Sequence, residues 1–373
     1  GEYRKHLEEA GLDVRTIVGA KYRRYAALAN FTDIPKFFIG FFQALFKMFW
    51  VMPDVVFSKG GTGALPVVLV GWLYRVPVII HESDAVPGIT NSISSFFAKR
   101  ILVSFPQIMN TFPASKVALT GNPTNADPSS VPSLTREAKE TLRFDPTKPV
   151  VVFIGGSQGA QRINEFVLNN LKDLLAVTQV ALQAGEDNFS TGEEVAKTIV
   201  PDVARIVVAV KEQEETKSHQ HLVYERVKLE EKEKEEKKKV KEEDRFHITP
   251  FLGDELALML TAADLVVGRA GSGTITDIAA FGKPAILIPV QRSANDHQRA
   301  NAYAFAETGA AIVLEEPNLM RTIFFEKMNT ILADIPLLER MRTASRAFYK
   351  SGAPAAIAQE IANLVLGKSM KTP

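Results

Sequence analysis

The sequence predicts an open α/β protein made of two parallel-sheet sections, and three observations carry that reading. Short apolar runs recur along the chain, each followed by a helical pattern, which is the rhythm of strands buried on both faces. Three of these runs end in glycine-rich turns, the position at which such sheets bind ligands. The length, 373 residues, exceeds one ordinary core and suits two domains of roughly 100 to 200 residues.

Taken in order, residues 1–11 (GEYRKHLEEAG) have a helical pattern already under way at Gly1, which implies further sequence upstream. Residues 36–50, KFFIGFFQALFKMFW, set Lys36, Gly40, Gln43 and Lys47 on one stripe of a helix, with large apolar side chains over most of the circumference. Such a helix is either buried on two sides or laid in a membrane interface, where Lys21, Arg23 and Arg24 would meet anionic head groups. No uninterrupted apolar run reaches the roughly 18 to 20 residues that span a bilayer, so no crossing segment is expected.

The runs Val55–Phe57, Val76–Ile80 and Val150–Ile154 read as buried strands, and Leu265–Val267 and Ala285–Ile288 continue the series. Between the two sections, residues 121–148 are rich in Pro, Ser, Thr and Asp around a short helical stretch at 134–142, the composition of a linker. Residues 211–245 hold 11 Lys/Arg and 12 Asp/Glu. Pairs such as Glu230/Lys234, Glu233/Lys237 and Glu235/Lys239 lie four apart, so this insert is expected to be a projecting solvated helix or a disordered spike, with no catalytic part.

Composition excludes several classes of function. Cysteine is absent, which removes disulfide frameworks, thiolate nucleophiles and thiolate-bound zinc. A net charge of +1 gives no general attraction for nucleic acid, so any anion must be held by a local site. With 46% apolar residues and no visible signal peptide, a soluble intracellular protein is expected.

The three turns are SKGGTGALP (58–66), GGSQGAQRIN (155–164) and GRAGSGT (268–274). In each, glycine lets backbone N–H groups approach an anion, and the following helix adds its positive end. Strand-to-helix turns also use glycine for geometry alone, but three of them across two sections favour a phosphorylated ligand. The P-loop pattern is absent.

The segments HESDAVPGITN (81–91), GGSQGAQRIN (155–164), RAGSGTITDIAAFGKPAILIP (269–289) and DHQRANA (296–302), in this order, resemble the MurG family of bacterial glycosyltransferases. The resemblance runs from about Val55 to the C-terminus, interrupted by the charged insert. It implies the GT-B fold, two Rossmann-like domains facing across a cleft: residues 1–125 as the acceptor domain, joined by a C-terminal helix at 352–373, and residues 146–351 as the UDP-sugar domain. It implies an inverting transfer of N-acetylglucosamine from UDP-GlcNAc to the muramyl 4-hydroxyl of undecaprenyl-linked lipid I, giving lipid II. The enzyme would be peripheral, on the cytoplasmic side of the inner membrane, and would need neither cofactor nor metal.

Residue by residue, the resemblance assigns the donor diphosphate to Gly156, Ser157, Gln158 and Gly159, with Asn164 downstream, and the uracil to Phe251 and Leu252. Arg269, Gly271 and Thr274 are donor-binding in this assignment and lead to the ribose-binding acid, whose place Asp277 takes. His297 and Gln298 match the pair that binds the sugar hydroxyls, with Asn301 in register. On the acceptor side, Gly60 and Gly61 match a diphosphate loop, and His81, Glu82 and Asn91 match a turn lining the cleft. Taken without the resemblance, His297 and Gln298 also suit an ordinary helix start, Asp277 suits the positive end of a helix dipole, and His81 suits a core histidine. His81 and Glu82 are the catalytic candidates: near Glu82 and Asp84, His81 becomes an acid/base candidate, since a carboxylate would raise its pKa. His6, His219, His221 and His247 show no ligand spacing and are expected to be solvated.

The chain also departs from the family pattern. The first strand and its GGTGGH-type loop are missing, which implies either a truncated reading frame or a chain that cannot glycosylate as it stands. Asp277 replaces the usual Glu and loses about 1.5 Å of reach. Asn125 stands where an Arg is usual, and Ser83 and Asp84 replace Gln-Asn. These leave open another UDP-sugar glycolipid glycosyltransferase, a UDP-sugar epimerase of the same fold, or a donor-binding remnant without activity.

Overall fold

The structure is a computed structural model. It describes residues 2–19, 28–61, 63–124, 126, 128–131, 134–155, 160–199, 204–206, 245–250, 255–291 and 296–367. The chain divides into two compact units, residues 1–121 with 352–373, and residues 122–351.

The first unit runs α1 (Glu2–Glu9), α2 (Leu28–Val51), β1 (Val56–Ser58), α3 (Ala64–Leu73), β2 (Val78–Glu82), α4 (Ile89–Phe97), β3 (Arg100–Val103) and β4 (Val117–Leu119). Its four strands are parallel, in the order β1-β2-β3-β4. Alternation along the strands sorts the side chains between the two faces. Val78, Ile80, Ile101 and Val103 join Ala44 and Met48 of α2 and Val68 and Val70 of α3 in one core.

The second unit runs α5 (Thr135–Thr141), β5 (Val150–Ile154), α6 (Gln161–Asn169), α7 (Leu171–Val177), β6 (Gln179–Gln183), α8 (Glu186–Ile199), β7 (Ala204–Ile206) and β8 (Phe246–Thr249). It continues through α9 (Glu255–Ala262), β9 (Leu265–Gly268), α10 (Ser272–Ala280), β10 (Ala285–Leu287), α11 (His297–Ala306), β11 (Ala311–Val313), α12 (Arg321–Ala333) and α13 (Ile335–Phe348). The sheet is parallel throughout, in the order β11-β10-β9-β5-β6-β8-β7. From β5 the strands first build outward through β6, then return to the other side of β5 as β9. The order therefore reverses between β5 and β9, and the carboxyl ends of those two strands form the switch point at which open sheets bind ligands.

The chain returns to the first unit as α14 (Ala353–Val365), whose Ile357 covers Ile79 and Leu102 on the back of the four-stranded sheet. A bidentate ion pair, Arg100 Nε and Nη2 to the two oxygens of Glu360, each at 2.9 Å, fixes the helix there.

Three features correct the sequence reading. His247 is not solvated: it is 2% exposed on β8 and its ring stacks on Phe144 with centroids 4.2 Å apart. A helix long and apolar enough to cross a membrane does exist by length and composition, Asp33–Val51 within α2. The polar residues interrupt its sequence but fall on one side: Gln43 Oε1 accepts from Val18 N–H at 2.8 Å, and Lys47 Nζ donates to Thr16 C=O at 2.6 Å. Next to that stripe Phe38, Phe42, Phe46 (65%) and Phe49 are exposed, and so is Trp50 (80%), which lies seven residues after Gln43 and hence in line with it. The third feature is His81, described below. Lys21, Arg23, Arg24, His219, His221 and nearly all of the charged insert lie outside the described residues.

Candidate active site

In the second unit, the sequence-predicted residues gather at the carboxyl ends of β5, β9 and β10. Strand β5 ends at Ile154, at the switch point, and α6 opens at Gln161; Gly156, Ser157, Gln158 and Gly159 between them, like Phe251, Leu252 and Asn125, are outside the described residues. Asn164, in the first turn of α6, is buried and donates Nδ2–H to Ala184 C=O at 2.7 Å, tying the helix start to the end of β6. Beside it, β9 ends at Gly268. A Cβ there would stand 2.9 Å from the Ile154 carbonyl oxygen, closer than such atoms approach, so only glycine lets the two strand ends meet.

The turn after Gly268 is braced from several sides. Arg269 is buried, donates to Ile288 C=O at 3.1 Å and pairs with Glu316 at 2.5 Å. Glu316 also lies 3.9 Å from Arg162 of α6. Asn301 of α11 is fully buried and donates to Ala270 C=O at 3.2 Å. Gly271 is the residue before α10, in extended conformation, and Thr274 is half-buried in the first turn. Gln298 Oε1 accepts from Val290 N–H at 3.1 Å, which leaves its amide hydrogens for another acceptor, and His297 opens α11 beside it. Asp296, just before, holds a left-handed φ of +56°, a strained conformation for a residue with a Cβ.

Asp277 sits one turn further along α10. Its Oδ1 accepts a hydrogen bond from the Thr124 hydroxyl, and the neighbouring Thr276 Oγ1 lies 3.5 Å from Asn122 Nδ2. Burial pushes the Asp277 carboxyl up to about 6, and the Thr124 hydrogen bond acts against that rise.

The first unit treats its polar residues differently. Glu82, 4% exposed at the end of β2, accepts from Asp84 N–H at 3.1 Å, Gly88 N–H at 3.0 Å and Asn91 Nδ2 at 2.9 Å. Asn91 Nδ2 also reaches His81 C=O at 3.2 Å, and its Oδ1 lies against Gly60, which has φ +81°, followed by Gly61 at φ +93°. His81 is fully buried. Its Nε2 is 3.0 Å from the Gly121 carbonyl, which can only accept, so Nε2 carries the proton and Nδ1 accepts from Ser83 Oγ at 3.3 Å. The expected rise in its pKa does not occur. Burial pushes the imidazole down to about 4, the Gly121 hydrogen bond offsets part of this, and Lys59 lowers it further. Glu82 and Asp84 act instead on Lys59, whose ammonium is lowered by burial and partly restored by those two carboxylates.

Sequence reasoning missed Thr124, Glu316 and Lys59. Lys59 carried a signal, as the basic residue that precedes Gly60-Gly61. Thr124 and Glu316 carried none, because each matters through a partner more than 40 positions away.

Comparison with known proteins identifies the family and the fold. Residues 1–103 match the glycosyltransferase family 28 N-terminal domain, and residues 198–359 match the glycosyltransferase family 28 C-terminal domain. A protein of Treponema pallidum named UDP-N-acetylglucosamine--N-acetylmuramyl-(pentapeptide) pyrophosphoryl-undecaprenol N-acetylglucosamine transferase is 31% identical over 94% of this chain and 82% of its own length. One of the same name from Clostridium botulinum is 31% identical over 88% of this chain and 79% of its own. Among solved structures, Acinetobacter baumannii MurG is similar with a TM-score of 0.66 at 24% identity, covering 97% of this chain and 88% of the other, which supports the two-unit GT-B fold. With relatives this similar over this much of its length, the chain belongs to glycosyltransferase family 28, and within it to the MurG transferases.

Proposed function

We propose that this chain transfers N-acetylglucosamine from UDP-GlcNAc to the muramyl 4-hydroxyl of undecaprenyl-linked lipid I, with inversion, to give lipid II. The observation that carries this is the 31% identity over 94% of the chain to a transferase of that name. The fold also resembles a UDP-GlcNAc 2-epimerase from Neisseria meningitidis (TM-score 0.59), but at 10% identity that likeness concerns the fold alone.

The second unit is the donor side. As the glycosidic bond breaks, charge builds on the departing diphosphate, and donors fixed in advance stabilise that charge most. The start of α6, after the turn Gly156, Ser157, Gln158 and Gly159, and the start of α10, after Gly271, both present helix N-termini at the switch point. Asp277 accepts from the ribose, Phe251 and Leu252 bracket the uracil, and His297 and Gln298 bind sugar hydroxyls. Arg269 and Asn301 hold the turn in shape through Ile288, Glu316 and Ala270.

The first unit is the acceptor side, with Gly60, Gly61 and the partly buried Lys59 toward the acceptor diphosphate. His81 and Glu82 set the acceptor turn; with both ring nitrogens engaged, His81 is a positioning residue and not the base. The exposed aromatic side of α2, together with Trp72, Leu73 and Phe96, lies in the cytoplasmic face of the membrane.

Two experiments test this. Lipid I and UDP-GlcNAc should give lipid II, while UDP-glucose and UDP-galactose should not; absence of product with the full chain overturns the assignment. Liposomes containing anionic lipid should retain the protein, and Phe42→Ser with Phe46→Ser should release it. Unchanged retention would remove the membrane role of α2.

A further inference from the structure

We infer that Thr124 is a positioning residue of the donor site: its hydroxyl occupies the acceptor on Asp277 that ribose hydroxyls use, so the crossover segment and the nucleotide exchange places on one carboxylate. The inference rests on the assignment of Asp277 to the ribose, and it goes further by naming what that carboxylate must release.

The geometry has three parts. First, the contact belongs to the segment that follows the boundary between the units. Residues 122–124 touch two consecutive residues of α10, Asn122 with Thr276 and Thr124 with Asp277. Second, Asp277 Oδ1 is taken by Thr124, while Oδ2 makes no hydrogen bond among the described residues. A carboxylate that grips a pair of vicinal hydroxyls uses both oxygens; each oxygen has two acceptor sites, and the exchange inferred here is that Thr124 and the ribose use the same one on Oδ1. Third, the hydroxyl has somewhere to go. Thr124 Oγ1 already accepts from Ala126 N–H at 3.0 Å, and Ala126 C=O lies 3.3 Å away as a second acceptor for its proton. Release therefore leaves no buried donor unsatisfied, and the exchange costs the difference between a charge-assisted and a neutral hydrogen bond.

Asp in place of the longer Glu gives this arrangement its character. The shorter side chain stays close to its own helix, within reach of a hydroxyl from the crossover segment. Nucleotide binding is thereby coupled to the hold of α10 on residues 122–124, without any contact between that segment and the nucleotide.

The test is calorimetric titration of UDP into the full chain and four variants: Thr124→Val, Thr124→Ala, Thr124→Ser and Asp277→Asn. Removing the competing hydroxyl in Thr124→Val and Thr124→Ala should tighten UDP binding about fivefold, the size of one hydrogen bond of intermediate strength. Thr124→Ser should match the parent. The gain should vanish with 2′,3′-dideoxyuridine diphosphate, a readout that a merely structural role of Thr124 would not move. If Asp277→Asn weakens UDP binding about tenfold or more while neither hydroxyl-free variant binds more tightly, the exchange is wrong and the ribose assignment stands. A gain that persists with the dideoxy nucleotide also overturns the exchange. If the parent does not bind UDP, or Asp277→Asn binds it as well as the parent does, the ribose assignment fails and takes the exchange with it.

Discussion

The two units use buried acids in opposite ways. Glu82 in the first unit is surrounded by three donors from its own turn, and its neighbour His81 has both nitrogens engaged. Asp277 in the second unit is also well buried but receives one side-chain donor. A buried carboxylate that is fully coordinated serves the fold, whereas one that is under-coordinated costs stability and keeps capacity for a ligand. A buried acid thus marks scaffold in one unit, at the end of β2, and binding capacity in the other, on α10.

The largest expected effect breaks the scaffold. Glu82→Ala leaves two backbone N–H groups and the Asn91 amide without their acceptor, and should cost about 3 kcal/mol or more of stability, read by denaturant unfolding. A loss below about 1 kcal/mol would mean that water replaces the carboxylate and the contrast is overstated. Asp277→Asn should do the reverse: thermal stability at pH 7 holds or rises, while UDP affinity falls about tenfold to a hundredfold. A drop in melting temperature would place Asp277 with Glu82.

A smaller effect separates the units by pH. His81 is depressed to about 4, so its contribution to stability is complete above its unfolded value near 6.5 and is lost as pH falls toward 4. Asp277 is raised to about 6, so its contribution is complete below its unfolded value near 3.8 and is lost as pH rises through 6. Between pH 6.5 and 4, acid should therefore loosen β2 and its turn while it steadies α10. Hydrogen exchange measured by segment reads this directly, and parallel changes in both segments would refute it. The smallest effect concerns catalysis. His81→Gln can keep a donor toward Gly121, should cost about 1 kcal/mol, and should leave the shape of the pH–rate profile unaltered. Loss of the limb governed by a base would restore His81 as the proton acceptor.

The strands at Val150–Ile154 and Leu265–Gly268 were legible because they are runs of apolar residues closed by glycine, and the site lies where those runs end. Arg100–Val103 was hidden by its charged first residue, whose guanidinium is paired with Glu360 from the other end of the chain. Phe246–Thr249 was hidden by His247, which reads as polar until Phe144 is placed against it. The motif positions identified the site region, but periodicity could not tell a carboxylate wrapped by its own turn from one held by a single hydroxyl. That distinction depends on where Gly88 and Thr124 arrive in space.

One hydrogen atom has a consequence for how this protein can change over generations. Because Gly268 presses on the Ile154 carbonyl, the second and third glycine turns share a wall, and neither can drift in sequence on its own. A mutational scan should find Gly268→Ala rescued only by changes that move the end of β5, so the two turns would be inherited as one.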